Sequence, residues 1–378
     1  MAPTPLLFLI ADTGGGHRAC ATAVAEQLGP ESGFDCHIVD PFAESSPRLI
    51  GWTADLYGPL IRDAPWLWGA MYHATNSRPG VATLVHSTLR PVQPGITRLI
   101  ERLQPAAIVS FHPLLNHIAS RARRSLGLQR PLLTVVTDLV EMHASWFCPE
   151  VDTFVVPTRG ALDCAVRAGV PAERCRELGL PVSSAFAGGA DGDGKRAARL
   201  RLGLPAQEFV VLLCGGADGS GGIAARARAL ATLDVHVVVI CGRNRQLLAE
   251  LEKVRPSGGG SFGAHGFVTN MAEWMRAADV IATRAGPTIV AEALCAGTPL
   301  LLTSYLAQER GNVDWVLEVG AGRFVRSVDE LVAAVRSLSS PAGSAELVSF
   351  RAAARQAARP EAARAVAALI AEHARATG

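Results

Sequence analysis

The sequence predicts an α/β protein of two domains, each built on a mostly parallel sheet. Apolar runs of strand length alternate with segments of helical period through most of the chain. The runs are continuous and β-branched-rich, as in strands covered on both faces. The 378 residues are about two and a half times the ~150 of an average domain. The runs are Leu6 to Ala11, Ala107 to Phe111, Leu132 to Thr137, Thr153 to Val156, Phe209 to Cys214, Val235 to Cys241, Val280 to Thr283 and Leu300 to Thr303.

Between the two series of strands, Ser183 to Asp193 is rich in Ser, Ala, Gly and Asp without periodicity, which predicts a linker. The expected division is a first domain over 1–182, a linker and domain entry over 183–205, and a second domain over 206–340. Helices over 341–378, with Pro360 suited to a first turn, are expected to pack back on the first domain.

Hydrophobic residues make up 49% and charged residues 19%, which excludes a disordered chain. A net charge of +2 excludes the broad basic field that nucleic acid needs. Nearly all the positive charge is arginine, and with abundant alanine this suggests GC-rich bacterial coding. The eight cysteines form no C-x-x-C pair and sit mostly in apolar runs, so a reducing compartment is expected. No run reaches the ~20 apolar residues of a membrane span. Pro5 to Ala11 lacks a basic flank, so neither a span nor a secretion signal is expected.

After the first strand come Asp12, Thr13, Gly14, Gly15, Gly16 and His17, then Cys20, Val24 and Leu28 at helical spacing. Strand, glycine turn and helix let a backbone approach a ligand and offer unpaired N–H groups to an anion; tight packing alone is the alternative. A second cluster, Gly215 to Gly222, follows Phe209 to Cys214 and forms a candidate diphosphate cradle with Ser220 as an added donor. Asp218 stands where a nucleophile elbow needs glycine, which disfavours a serine hydrolase. In the third element, Thr283 to Glu292, Pro287 starts a helix and Glu292 lies one turn in. Its carboxylate can accept both ribose hydroxyls, or it is an exposed glutamate favoured by the helix dipole.

His17, at a glycine turn and titrating near neutrality, is the first choice of general base. Asp138 is second, or it orients another group, or it caps a helix. Open α/β sheets put ligands at the carboxyl ends of strands, which favours both. His112, before Pro113 at a strand end, reads as an acceptor-cleft or packing residue. His112, His117 and Cys148 lack metal-ligand spacing, and no metal is expected. Residues 52–72 hold Trp52, Tyr57, Trp66, Trp68 and Tyr72, with Arg48, Arg62, Arg78 and Arg90 around them. Such a segment fits an anionic membrane interface; a subdomain core or dimer contact is the alternative.

Together these segments resemble the monogalactosyldiacylglycerol synthase family, relatives of the glycosyltransferase that forms lipid II. The resemblance spans roughly residues 6–330 and rests on DTGGGHR (12–18), PWLWGAMYHAT (65–75), TVVTDL (134–139), SWF (145–147), ICGRN (240–244), GFVTNM (266–271), AGPTIVAEAL (285–294) and QERGNVDWVLEVGAG (308–322). It implies a GT-B fold of two Rossmann-like domains facing across a cleft, with a lipid acceptor on the first and a UDP-sugar on the second. Carried over by position, Gly216, Ser220 and Gly221 contact the diphosphate and Gly242 with Arg243 lines the donor site. Phe267 offers backbone to uracil, Gly286, Thr288 and Glu292 hold phosphate and ribose, and Gln308 and Glu309 bind sugar hydroxyls. His17 stands at the reacting centre; Gly15, Gly16, Trp66, Trp68, His112 and Trp146 are assigned to the acceptor and membrane side. The second glycine cluster, GGADGSGG, departs from the plant-type run containing Glu and Met.

The expected activity is transfer of a hexose, galactose or glucose, from a UDP-sugar to diacylglycerol, with inversion implied by the resemblance. UDP-sugar is a co-substrate and no cofactor is expected. The expected location is cytoplasmic, peripheral on the inner face of the cell membrane. A sugar-nucleotide epimerase of the same architecture and a silent nucleotide-sugar sensor are the alternatives.

Overall fold

A computed structural model describes residues 3–12, 15–45, 64–87, 89–188, 192–215 and 222–376. The chain forms two units, Met1–Ser184 with Arg359–Gly378, and Ala185–Ala358. In the first, β1 (Thr4–Leu9), β2 (Phe34–Val39), β3 (Ala107–Ser110), β4 (Leu132–Val135), β5 (Thr153–Val156) and β6 (Cys175–Glu177) form a six-stranded sheet of order β2-β1-β3-β4-β5-β6. In the second, β7 (Val210–Cys214), β8 (His236–Ile240), β9 (Ser261–His265), β10 (Val280–Arg284), β11 (Leu300–Ser304) and β12 (Gly322–Phe324) take the order β12-β11-β10-β7-β8-β9.

Every pairing is parallel. The eight expected runs become the interior strands, fully buried because helices cover both faces. The four strands absent from that expectation, β2, β6, β9 and β12, are the four sheet edges. Each sheet reverses its winding once, between β1 and β3 and between β7 and β10. At such a reversal the loops leave in opposite directions and open a crevice at the carboxyl ends.

The domain boundaries differ from the sequence expectation at three places. The first unit ends at Ser184 rather than 182, and the helix Gly192–Leu202, expected within a linker, packs on the helix Met271–Ala277 of the second unit. Its Arg199 is buried and donates to Asp279 at 2.7 Å; Asp279 also takes Lys195 Nζ, Arg351 Nη2 at 2.6 Å and the Val210 N–H at 2.8 Å. Burial alone would push Asp279 up, but Lys195, the Val210 N–H and Arg199 hold it below the usual carboxylate range. Arg351 lies on the helix Ser344–Ala357, so that helix also belongs to the second unit.

Only the helix Ala362–Arg375 returns to the first unit. It lies along the helix Gly16–Glu26 and buries Val366, Ile370 and four or more alanines. His373 Nε2 lies 3.1 Å from Thr153 Oγ1, and the Arg375 guanidinium sits 5.5 Å from the Phe34 ring.

Candidate active site

In the first unit the chemistry gathers where β1, β3 and β4 end. Gly15 takes φ +83°, a left-handed conformation that favours glycine, and turns the chain into the helix Gly16–Glu26. Arg18 grips Asp12 with two hydrogen bonds of 2.7 and 2.6 Å, and the Asp12 N–H donates to Asp40 Oδ2 at 2.9 Å. This clamp spans the turn and fixes the start of the helix that carries His17.

His17 Nδ1 lies 3.0 Å from Thr137 Oγ1, just beyond β4. Its ring stands edge-on to His112, centroids 5.0 Å apart, and His112 in turn packs against Phe42 at 5.6 Å. Burial pushes His17 down to about 4, against the Phe111 carbonyl and the Asp12 charge, which favour the protonated ring. Burial, with His17 alongside, takes His112 well below its ordinary range. Both rings are neutral at pH 7, the state in which an imidazole accepts a proton. Asp138 is engaged elsewhere: its Oδ2 accepts the Trp146 indole N–H at 2.7 Å.

Trp146 corrects an expectation. It is fully buried in the first unit's core, so it supports the sheet and does not face acceptor or membrane. Trp66, 73% accessible, is exposed on the helix Pro65–Thr75 with Leu67 and Met71; Trp68 on the same helix is half-buried. That helix is moored by His143, whose Nε2 lies 3.2 Å from the Tyr72 carbonyl and 3.3 Å from Thr75 Oγ1. Arg48, Trp52, Tyr57 and Arg62 lie outside the described residues.

In the second unit, Gly222 at φ +67° opens the helix Ile223–Leu230 after β7; Gly216, Ser220 and Gly221 lie outside the described residues. After β8, Gly242 is buried and the Arg243 guanidinium lies 5.2 Å over the exposed Phe267 ring. After β10, Gly286 precedes the helix Pro287–Cys295, with Thr288 in its first turn and Glu292 one turn further. Burial pushes Glu292 up to about 8.

Glu309 is a second correction. It is 2% exposed, and its Oε2 accepts the Leu306 N–H at 2.8 Å and pairs with Arg284 Nε at 3.1 Å. The carboxylate expected on a sugar instead braces the loop before Pro287, which Asn312 also holds by donating to the Ala285 carbonyl at 2.8 Å. Gln308 beside it is half-buried. Thr137, Arg18, Arg284 and Asn312 belong to this machinery and were not singled out by sequence pattern; for Thr137 the available signal was its place at a strand's carboxyl end. Among the described residues, no three His, Cys, Asp or Glu are grouped to hold a metal, and no helix is long and apolar enough to cross a membrane.

Residues 17–182 match the family model of monogalactosyldiacylglycerol (MGDG) synthase, and residues 210–352 that of the glycosyltransferase family 28 C-terminal domain. The chain is 34% identical to a chloroplastic monogalactosyldiacylglycerol synthase of Spinacia oleracea, across 90% of this chain and 67% of that one. The chain belongs to the monogalactosyldiacylglycerol synthase family. A second member, monogalactosyldiacylglycerol synthase 1 of Arabidopsis thaliana, is 34% identical across 95% of this chain and 69% of its own. The protein thus spans about two thirds of the length of these family members. Its GT-B fold is shared with MurG of Acinetobacter baumannii, at TM-score 0.64 and 18% identity over 98% of this chain and 100% of that one. A UDP-GlcNAc 2-epimerase of Neisseria meningitidis, at TM-score 0.61 and 12% identity over 97% and 100%, has the same fold. Fold therefore does not separate transferase from epimerase, and sequence does.

The burial of His17 has a direct readout. Titrated by ¹⁵N NMR, its ring is expected to stay neutral from pH 8 to 5 and to protonate near pH 4; a midpoint at the ~6.5 of free histidine would place the ring in water.

Proposed function

We propose that the protein transfers a hexose, galactose by analogy with its relatives, from a UDP-sugar to the hydroxyl of diacylglycerol. The observation that carries this reading is the neutral His17 at the winding reversal between β1 and β3, in a chain of this family. His17 takes the acceptor hydroxyl's proton as the oxygen bonds to the sugar's C1. The bond from C1 to the β-phosphate oxygen breaks and UDP leaves with the electron pair, a single displacement that inverts the anomeric centre. The helix N-terminus at Pro287–Cys295 and Arg243 receive the charge on the departing diphosphate. Thr288 and Glu292 hold phosphate and ribose, and Arg243 with Phe267 frames the base. UDP-sugar is the co-substrate, and the scheme calls on no resident cofactor.

The acceptor does not dissolve in water, so the reading places the protein on a membrane surface. Trp66, Leu67 and Met71 supply exposed apolar area. Nearby, Arg78, Arg121, Arg124 and Arg174 line a cavity of about 550 Å³ floored by Val81 and Phe147, which suits an anionic lipid surface. The relatives named above are chloroplastic plant enzymes; a bacterial source with attachment at the inner face of the cell membrane rests on composition alone.

Release of UDP from a panel of UDP-sugars, with and without diacylglycerol vesicles, tests the assignment. Acceptor-dependent release is expected, fastest with UDP-galactose. Conversion of the sugar nucleotide without acceptor would instead mean an epimerase.

Glu292 makes UDP binding depend on pH. Ribose hydroxyls donate to the ionised carboxylate, whereas a group titrating near 8 is mostly protonated at pH 7. Affinity should therefore rise about tenfold from pH 7 to 9, with a proton released on binding at pH 7. Glu292→Ala should flatten this dependence and weaken binding about 10- to 100-fold at pH 9, where the carboxylate is ionised. Calorimetric titration in buffers of different ionisation enthalpy reads both effects.

Vesicle binding should increase with anionic lipid, weaken in high salt and fall at least fivefold, on the order of 1 kcal/mol, in a Trp66→Ala, Met71→Ala variant that retains its circular dichroism. Equal co-sedimentation of that variant would move the membrane contact to another surface.

A further inference from the structure

We propose that Thr137 is the positioning residue for His17: its hydroxyl holds Nδ1 and sets the plane in which the ring meets the acceptor hydroxyl. This rests on the reading of His17 as the base. A hydroxyl both donates and accepts, so it can hold Nδ1 in the neutral ring and in the imidazolium alike. Thr137 Oγ1 lies 3.0 Å from Nδ1. The residue is 3% exposed, and the neighbouring Val136 N–H donates to the Val155 carbonyl at 2.9 Å, so the backbone beneath the hydroxyl is held by the sheet. A β-branched side chain on such a backbone has few rotamers, and the contact is prepaid.

His112 touches the ring by its edge, and the hydroxyl and carboxylate groups on this edge are directed elsewhere. Ser110 Oγ donates to the His112 carbonyl at 2.9 Å, Thr134 Oγ1 donates to the Ser110 carbonyl at 3.4 Å, and Asp138 Oδ2 takes the Trp146 N–H at 2.7 Å. The choice of a hydroxyl over a carboxylate has a chemical consequence. A carboxylate at Nδ1 would favour the imidazolium and raise the ring's pKa. A hydroxyl adds no charge, so it orients the ring while leaving it the unprotonated base described above. When His17 takes the acceptor's proton, the Thr137 hydroxyl accepts from Nδ1–H of the imidazolium, and no heavy atom has to move.

The test compares Thr137→Val, which keeps shape and removes the hydroxyl, with Thr137→Ser, which keeps the hydroxyl. Thr137→Val should lower kcat about 10- to 100-fold with the KM for UDP-sugar unchanged, and Thr137→Ser should stay within about threefold of the unaltered protein. In ¹⁵N NMR, the His17 Nδ1 resonance should shift in the Val variant, which removes its hydrogen-bond partner, and stay in place in the Ser variant. If the Val variant does not fold, Thr137→Ala serves in its place. A double variant with His17→Ala should be no slower than His17→Ala alone. Activity of Thr137→Val within twofold, while His17→Ala is strongly impaired, overturns the positioning role and leaves the base standing. Additive losses in the double variant overturn it as well, because Thr137 would then act apart from His17. Full activity of His17→Ala would remove the base and the positioning role together.

Discussion

Parallel pairing in both sheets is the constraint from which the rest of the structure follows. Parallel neighbours cannot be joined by a hairpin, so every strand is followed by a crossover that returns the chain to the same starting edge. All carboxyl ends in a sheet therefore lie along one edge, and every loop with chemical content emerges there. A winding reversal then divides that edge. In the first unit it lies between β1 and β3, whose following residues are His17 and His112; in the second it lies between β7 and β10, followed by Gly222 and Gly286. One architectural solution thus places His17 and His112 at the reversal of the first unit and the helix starts after Gly222 and Gly286 at that of the second.

Charge is distributed by the same logic. The ionised groups that pair closely here brace loops: Arg18 holds Asp12, Arg284 holds Glu309, and Asp279 gathers Arg199, Lys195 and Arg351. His17 and Glu292 are instead kept neutral at pH 7 by burial. Such a neutral site changes its charge only when a ligand or a reacting proton arrives, and its response to pH reports directly on occupancy.

Interior strands were legible in the sequence because burial on both faces demands uninterrupted apolar residues. The edges were not. FDCHIV, CRE, SFGAH and GRF pair on one side only and carry polar residues that no longer look like a strand. The same limit governed the site. His17 and Glu292 follow or precede glycine and proline signals that have local causes. Thr137 meets His17 across 120 residues, and Glu309 meets Arg284 across the fold, so no local spacing marks either. Trp66 and Trp146 are alike in composition and opposite in burial, since which face of a helix or turn meets the core is decided by tertiary packing. The helix Gly192–Leu202 was hidden for a related reason: its residues show no apolar period, and what seats it is the pairing of Lys195 and Arg199 with Asp279, far along the chain.

The return of Ala362–Arg375 to the first unit sets an order on biosynthesis. On the ribosome the second unit is a continuous stretch and can close as soon as it emerges. The first unit waits, with the flank of Gly16–Glu26 that Val366 and Ile370 will cover still open to water and to chaperones. His17 is made before the second unit, yet its helix gains its full support only after the whole second unit has been synthesised. A stalled or prematurely terminated chain would therefore carry a closed second unit and a first unit still lacking its last helix.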